Sequence, residues 1–156
     1  MKRRALFRAM AAAPAALLAS RLEATDYASP AEVFGAIDPL EAEVGLRLRA
    51  LSEAIPGARA FATSLLRDQE RQHVERDRLR ARLRLPPSLT VRAEARDLLS
   101  LPALRTAQQA LVHAHAEGLP AIGEARVVDR LARHLVELSR HLAVIDLWIE
   151  AEENRD

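Results

Sequence analysis

The stretch Leu65–Leu83, "LLRDQERQHVERDRLRARL", decides the fold. Leu65, Leu66, Leu79 and Leu83 fall at helical spacing, so one face of a long helix lies on a core. Around the middle of that face the leucines give way to Gln69, Glu70 and His73. A Glu and a His three positions apart project from one side of a helix. They can grip one ion together, or they can satisfy each other and their neighbours in a hydrogen-bond network.

Three more helices surround this one. "DPLEAEVGLRLRALSEAI" opens with Asp38 as cap, Pro39 at the first helical position and Glu41 completing a capping box. Leu40, Val44, Leu48, Leu51 and Ile55 follow at helical spacing, and Pro56-Gly57 ends the run. The second helix is expected over 58–85, up to Pro86-Pro87. A third, over 94–117, buries Leu101, Leu104, Leu111 and Val112, with Pro102 bending its first turns. A fourth, over 124–152, carries Leu131, Leu135, Leu138, Leu142, Ile145 and Ile149 on one face. Four amphipathic helices with short connections predict an all-α, antiparallel up-down-up-down four-helix bundle over 38–153, behind a linker at 25–37.

Composition agrees with helices. Aromatic residues are 3% of the chain while Ala, Leu and Arg dominate, which disfavours sheets. The lack of cysteine removes disulfides, thiolate metal sites and cysteine nucleophiles. Residues 1–24 hold five of the 23 basic residues and one of the 22 acids, so the remainder is slightly acidic and no nucleic-acid partner is expected. Those first residues, "MKRRALFRAMAAAPAALLAS", have the anatomy of an export signal: Lys2, Arg3, Arg4 and Arg8 ahead of an Ala/Leu run from Ala9 to Ala19. The run is too short to span a bilayer of about 30 Å as a helix. The only membrane attachment expected is therefore an uncleaved leader. "RRALFR" resembles the twin-arginine signal, implying export to the periplasm. The alternatives are an amphipathic N-terminal helix of a cytoplasmic protein and an Arg-rich transit peptide.

Sorting polar residues at 100° per position places several inward. Gln69 and His73 are central on helix two with Glu70 flanking, and Glu41 sits at the margin of helix one. Gln108 and His115 lie in the apolar arc of helix three. His134 and His141 lie in that of helix four, with Glu137 at its edge. Counting from the turns puts Glu41, Glu70, His73, Gln108 and His134 at one height, a candidate site for a single ion of iron, manganese or zinc. The same groups could instead be neutralised internally, with Glu41 or Glu70 pairing to Arg47 or Arg76.

"LEAEVGLRLRALSEA" followed by "FATSLLRDQERQHVERDRL" resembles the first half of the ferritin-like superfamily, particularly small bacterial members with twin-arginine leaders. "RTAQQALVHAHAEGLP" and "VDRLARHLVELSRHLAVIDLW" are similar to its third and fourth helices. The resemblance implies a four-helix bundle that, in active members, holds two metals through one Glu plus one Glu-x-x-His per helix pair. Glu41 matches the first carboxylate, and Glu70 with His73 the motif. The second half departs from the pattern. Gln108 or Gln109 stands for the third-helix Glu, and Leu131-x-x-His134 or Leu138-x-x-His141 for the second motif. A di-iron oxidase needs about four carboxylates, so the expectation is a degenerate site binding at most one ion, in an accessory or metal-binding protein. The alternative is a metal-free interaction scaffold, with a homodimer or another protein as partner.

Overall fold

Two start signals follow each other at the head of the first helix, and the earlier one wins. In the computed structural model, which describes residues 26–88 and 96–154, α1 spans Pro30–Ala54. Ser29 caps it, accepting from the Glu32 backbone N–H at 3.3 Å, while the Glu32 carboxylate accepts from the Ala28 N–H at 2.9 Å. This start precedes the capping box expected at Asp38. Pro39 therefore lies inside the helix. It removes one internal hydrogen bond, to the carbonyl of Gly35, and its ring crowds that carbonyl, a cost of about 3 kcal/mol. The segment 30–37 is no linker, because Val33, Phe34 and Ile37 are fully buried there and their burial outweighs the proline. The leader and most of the link after α2 lie outside the described residues.

α2 spans Arg59–Arg82, α3 Leu101–Gly118 and α4 Ala125–Glu153, and no strand occurs among the described residues. α2 closes with two backbone bonds, Leu85 N–H to Arg80 O at 2.9 Å and Arg84 N–H to Ala81 O at 3.1 Å. This is the Schellman arrangement, with Arg84 at φ 57° where glycine is usual. α3 begins later than its leucine pattern suggests. Ser100 caps it by accepting from the Ala103 N–H at 3.2 Å, and Pro102 occupies its first turn, where a proline starts a helix rather than bending it.

The helix directions differ from the expected up-down-up-down order. One-turn 3-10 segments, Pro56–Ala58 and Leu119–Ala121, make α1–α2 and α3–α4 antiparallel hairpins. Gly118 at the end of α3 meets Val33 at the start of α1, and Arg47 farther along α1 donates to Asp97 O at 2.9 Å, just before α3 begins. Hence α1 and α3 are antiparallel, and α2 and α3 run the same way. The link between them leaves at the height of Asp38, whose carboxylate accepts from Ser88 Oγ at 2.9 Å. It rejoins the bundle at the height of Arg47, about 13 Å farther along α1 at 1.5 Å per residue. Residues 83–100 are numerous enough to make that climb, so nothing forces α3 to reverse against α2.

Most of the core is apolar: Leu48, Leu51, Leu104, Leu111, Leu131, Leu138 and Ile145 are almost wholly buried. Phe61 and Trp148 stack at 5.1 Å where the start of α2 meets the end of α4. The α1–α3 approach is tightest at Gly118, where an added Cβ would lie 2.4 Å from Val33 Cγ1. Gly118→Ala should therefore destabilise the bundle by about 1–3 kcal/mol despite alanine's better helix propensity. Urea unfolding checks this, and an unchanged or raised midpoint would contradict the tight contact.

Candidate functional site

Along α2 the inward line runs Leu65, Gln69, Gln72, Arg76 and Leu79, all buried. The 4-3-4-3 spacing is regular, yet its three middle residues are polar. Gln69 fits because α1 presents Gly45 opposite it. Its Nε2 donates to Glu41 O at 3.0 Å while its Oε1 lies against the glycine. Gln72 Nε2 crosses to α4, donating to Glu137 Oε2 at 2.8 Å. Arg76 is 2% exposed and forms an ion pair with Glu41, itself mostly buried. An arginine at a centre-line position is tolerated only when its charge is neutralised. Glu41 provides that neutralisation.

Two histidines complete this level. His115 on α3 is fully buried, and its Nδ1 donates to Leu111 O at 2.9 Å. His134 on α4 donates from Nε2 to Glu75 Oε2 on α2 at 2.9 Å. A carbonyl and a carboxylate can only accept, so these bonds fix both tautomers. His115 Nε2 and His134 Nδ1 are left as lone-pair acceptors, buried without a protein partner among the described residues, as are Glu41 Oε1 and Gln72 Oε1. The two rings lie edge to face, 6.5 Å between centroids. Burial pushes the His115 pKa down to about 3, and the nearby charge of Arg76 adds to the effect against the Leu111 hydrogen bond. Burial also lowers the pKa of His134, opposed by its bond to Glu75. The hydrogen bond from His134 in turn holds the Glu75 carboxyl below the ordinary range. Burial thus favours the neutral form of both imidazoles, and in that form the layer is rich in acceptors around the Arg76 guanidinium.

Of the five residues expected to converge, the structure brings two into contact. His73 Nδ1 lies 3.2 Å from Glu41 Oε2. The remaining three do not join them. Glu70 is exposed, because one step beyond Gln69 turns its side chain 100° away from the bundle axis. Gln108 is buried, but its amide donates to Leu138 O at 2.9 Å on α4. His134 is committed to Glu75. His73 itself stands at the rim, its side chain 47% exposed, with Asp77 Oδ2 3.7 Å from Nε2. Among the described residues no three His, Cys, Asp or Glu side chains gather so as to hold a metal ion. The ligand set implied by the ferritin-like resemblance does not fit this layer: the Glu41 carboxylate faces a fixed cation, and Glu70 faces solvent.

The α2–α4 seam is a polar ladder. Asp68 meets His141 at 3.1 Å, Gln72 meets Glu137, Glu75 meets His134, and Arg82 meets Glu124, rising along α2 as they descend along α4. At the foot of the bundle Arg80 pairs with Asp38, donates to Phe34 O at 3.3 Å and stacks over the Phe34 ring at 4.9 Å. Arg76, Gln72 and Glu75 lie outside the expected ligand set; Arg76 is one of the neutralising partners that the sequence offers Glu41. The 4-3-4-3 register through Leu65 and Leu79 was the signal that identifies the first two.

Compared with known protein families, curated proteins and solved structures, the chain gives no match. No described helix is long and apolar enough to cross a membrane.

Proposed function

We propose that the protein is a metal-independent helical interaction module on a ferritin-like scaffold, in which a buried arginine takes the electrostatic place of a bound ion. The observation that carries this reading is the Arg76–Glu41 pair. A cation at Glu41 would be repelled by the guanidinium, and repulsion between buried like charges is only weakly screened. The scaffold likeness rests on the single long crossover joining two parallel helices, the connection that distinguishes ferritin-like bundles from up-down-up-down ones. The earlier expectation of one ion at Glu41, Glu70 and His73 is the competing reading, and it predicts different behaviour.

Glu70→Ala separates the two. On the present reading it removes an exposed side chain and changes stability by no more than about 0.5 kcal/mol. Ferrous iron, manganese and zinc should then leave the thermal midpoint of both native and variant protein in place. A ligand that binds only the folded state must raise that midpoint. A metal-dependent rise in the native chain, lost in Glu70→Ala, would overturn metal independence. So would about one equivalent of metal per chain in protein purified without a histidine tag.

A further inference from the structure

The charges of α4 are arranged against its own dipole. Its first half, through Arg140, carries Arg126, Arg130, Arg133 and Arg140 against two acids. Its second half carries Asp146, Glu150, Glu152 and Glu153 with no lysine or arginine. Beyond the Glu124 N-cap, which pairs with Arg82, the first turn holds no acid, and the last turn holds acids with no base, where the negative C-terminus of a helix favours bases. Within the described residues, Arg140 and Glu150 are both exposed and form no ion pair.

The same outward face exposes apolar side chains. Val136 is 53% exposed, Val144 41% and Leu147 65%, on the side of α4 away from core-facing Leu138 and Ile145. Val136, Arg140, Ala143, Leu147 and Glu150 recur at 4-3-4-3 spacing, the seam of a helix made to pack on another helix. Arg130, Arg133 and Asp146 are already paired within the chain, with Glu75, Asp129 and Arg105, so what an antiparallel partner with the same charge division answers is the exposed Arg140 and Glu150 and the apolar side chains between them. It lays its acidic half along the basic half of α4 and opposes the helix dipoles. One such helix is α4 of a second copy.

We propose that the chain forms a two-fold symmetric dimer through the outer face of α4, with its axis at the level of Ile145. In that register Arg140 faces the partner's Glu150, Ala143 faces the partner's Leu147, and symmetry repeats each contact. Such an interface is isologous and closes on itself. The inference names the partner for the interaction-module reading and rests on it to that extent.

Sedimentation velocity on the full chain, across a wide concentration range, tests the dimer. The native chain should dimerise, and Leu147→Glu should return it to monomer with its helical circular dichroism retained and its thermal midpoint equal to that of the native chain at dilutions where the native chain is monomeric. Arg140→Glu or Glu150→Arg alone places like charges opposite each other twice and should weaken association at least about tenfold. The combined Arg140→Glu, Glu150→Arg chain exchanges the charges and should recover it. A native chain that stays monomeric, a dimer indifferent to Leu147→Glu, or a double exchange that fails to rescue would each overturn the proposal. A monomer with no metal requirement removes the dimer and leaves metal independence standing, whereas a dimer that needs metal does the opposite.

Discussion

Replacing Glu41 with alanine should cost about 3–5 kcal/mol of unfolding free energy. The loss comes less from the missing attraction than from what remains, a guanidinium that is 2% exposed and has no carboxylate to neutralise it. Arg76→Met alone should cost less. It removes the long charged side chain and leaves Glu41 beside His73 at the rim, where water reaches the imidazole. The combined Glu41→Leu, Arg76→Met chain should lie close to the native stability, because a buried ion pair replaced by apolar groups of similar size is often neutral. Urea denaturation of the native, Glu41→Leu, Arg76→Met and doubly substituted chains gives the comparison as a double-mutant cycle. If Glu41→Ala costs under about 1 kcal/mol with an unchanged denaturant slope, the pair is solvated and does not organise the core.

The second large effect is acid destabilisation with an onset near the histidine range. The folded protein holds His115 at about 3 and also holds His134 below its ordinary 6.5, so an unfolded chain takes up those protons first. Stability should therefore be level, as far as these two groups are concerned, above pH 6.5. It should fall as pH drops from there toward 3, by up to about 1.4 kcal/mol per pH unit for His115, and the lowered His134 adds a loss of the same sign below its ordinary 6.5. Glu75, whose folded pKa is lowered, adds a loss of the same sign at lower pH, below its ordinary 4.5. His115→Leu should remove about one proton's worth of this slope. Urea midpoints from neutral pH to about pH 4 measure it. An equal slope in native and variant protein would mean that His115 is protonated as readily inside the bundle as outside.

Much of the fold is written in the spacing of leucines. Pro56-Gly57 and Gly118-Leu119-Pro120 mark both tight turns, and the stripe on α4 from Leu131 to Ile145 is buried as its period requires. The burial of Gln69, Gln108, His115, His134 and His141 also follows from their angular positions. The start of α1 was ambiguous for a physical reason. "SPAE" and "DPLE" are nearly equivalent start signals in one segment, and only the tertiary burial of Val33, Phe34 and Ile37 chooses between them. The identity of neighbouring helices was hidden too. A link over residues 83–100 can either reverse or climb, and its own sequence does not distinguish the two. The candidate layer was half legible. Angles put Gln69 inside, but an arginine on the inward line reads as a surface residue until its partner is seen, and Arg76 finds that partner on another helix. Glu70 shows the converse, since a motif match assigned an inward role to a side chain one position off the line.

The climb of the chain from the foot of α2 to the head of α3 has a kinetic consequence. Each hairpin closes on contacts near in sequence, through a one-turn corner, whereas Val33 and Gly118 meet only after the two halves come together. The entropy of closing that long loop is recovered only at docking, so assembly of preformed halves is the slow event. A Gly118→Ala change acts at a contact made in that docking step and should slow refolding as well as accelerate unfolding.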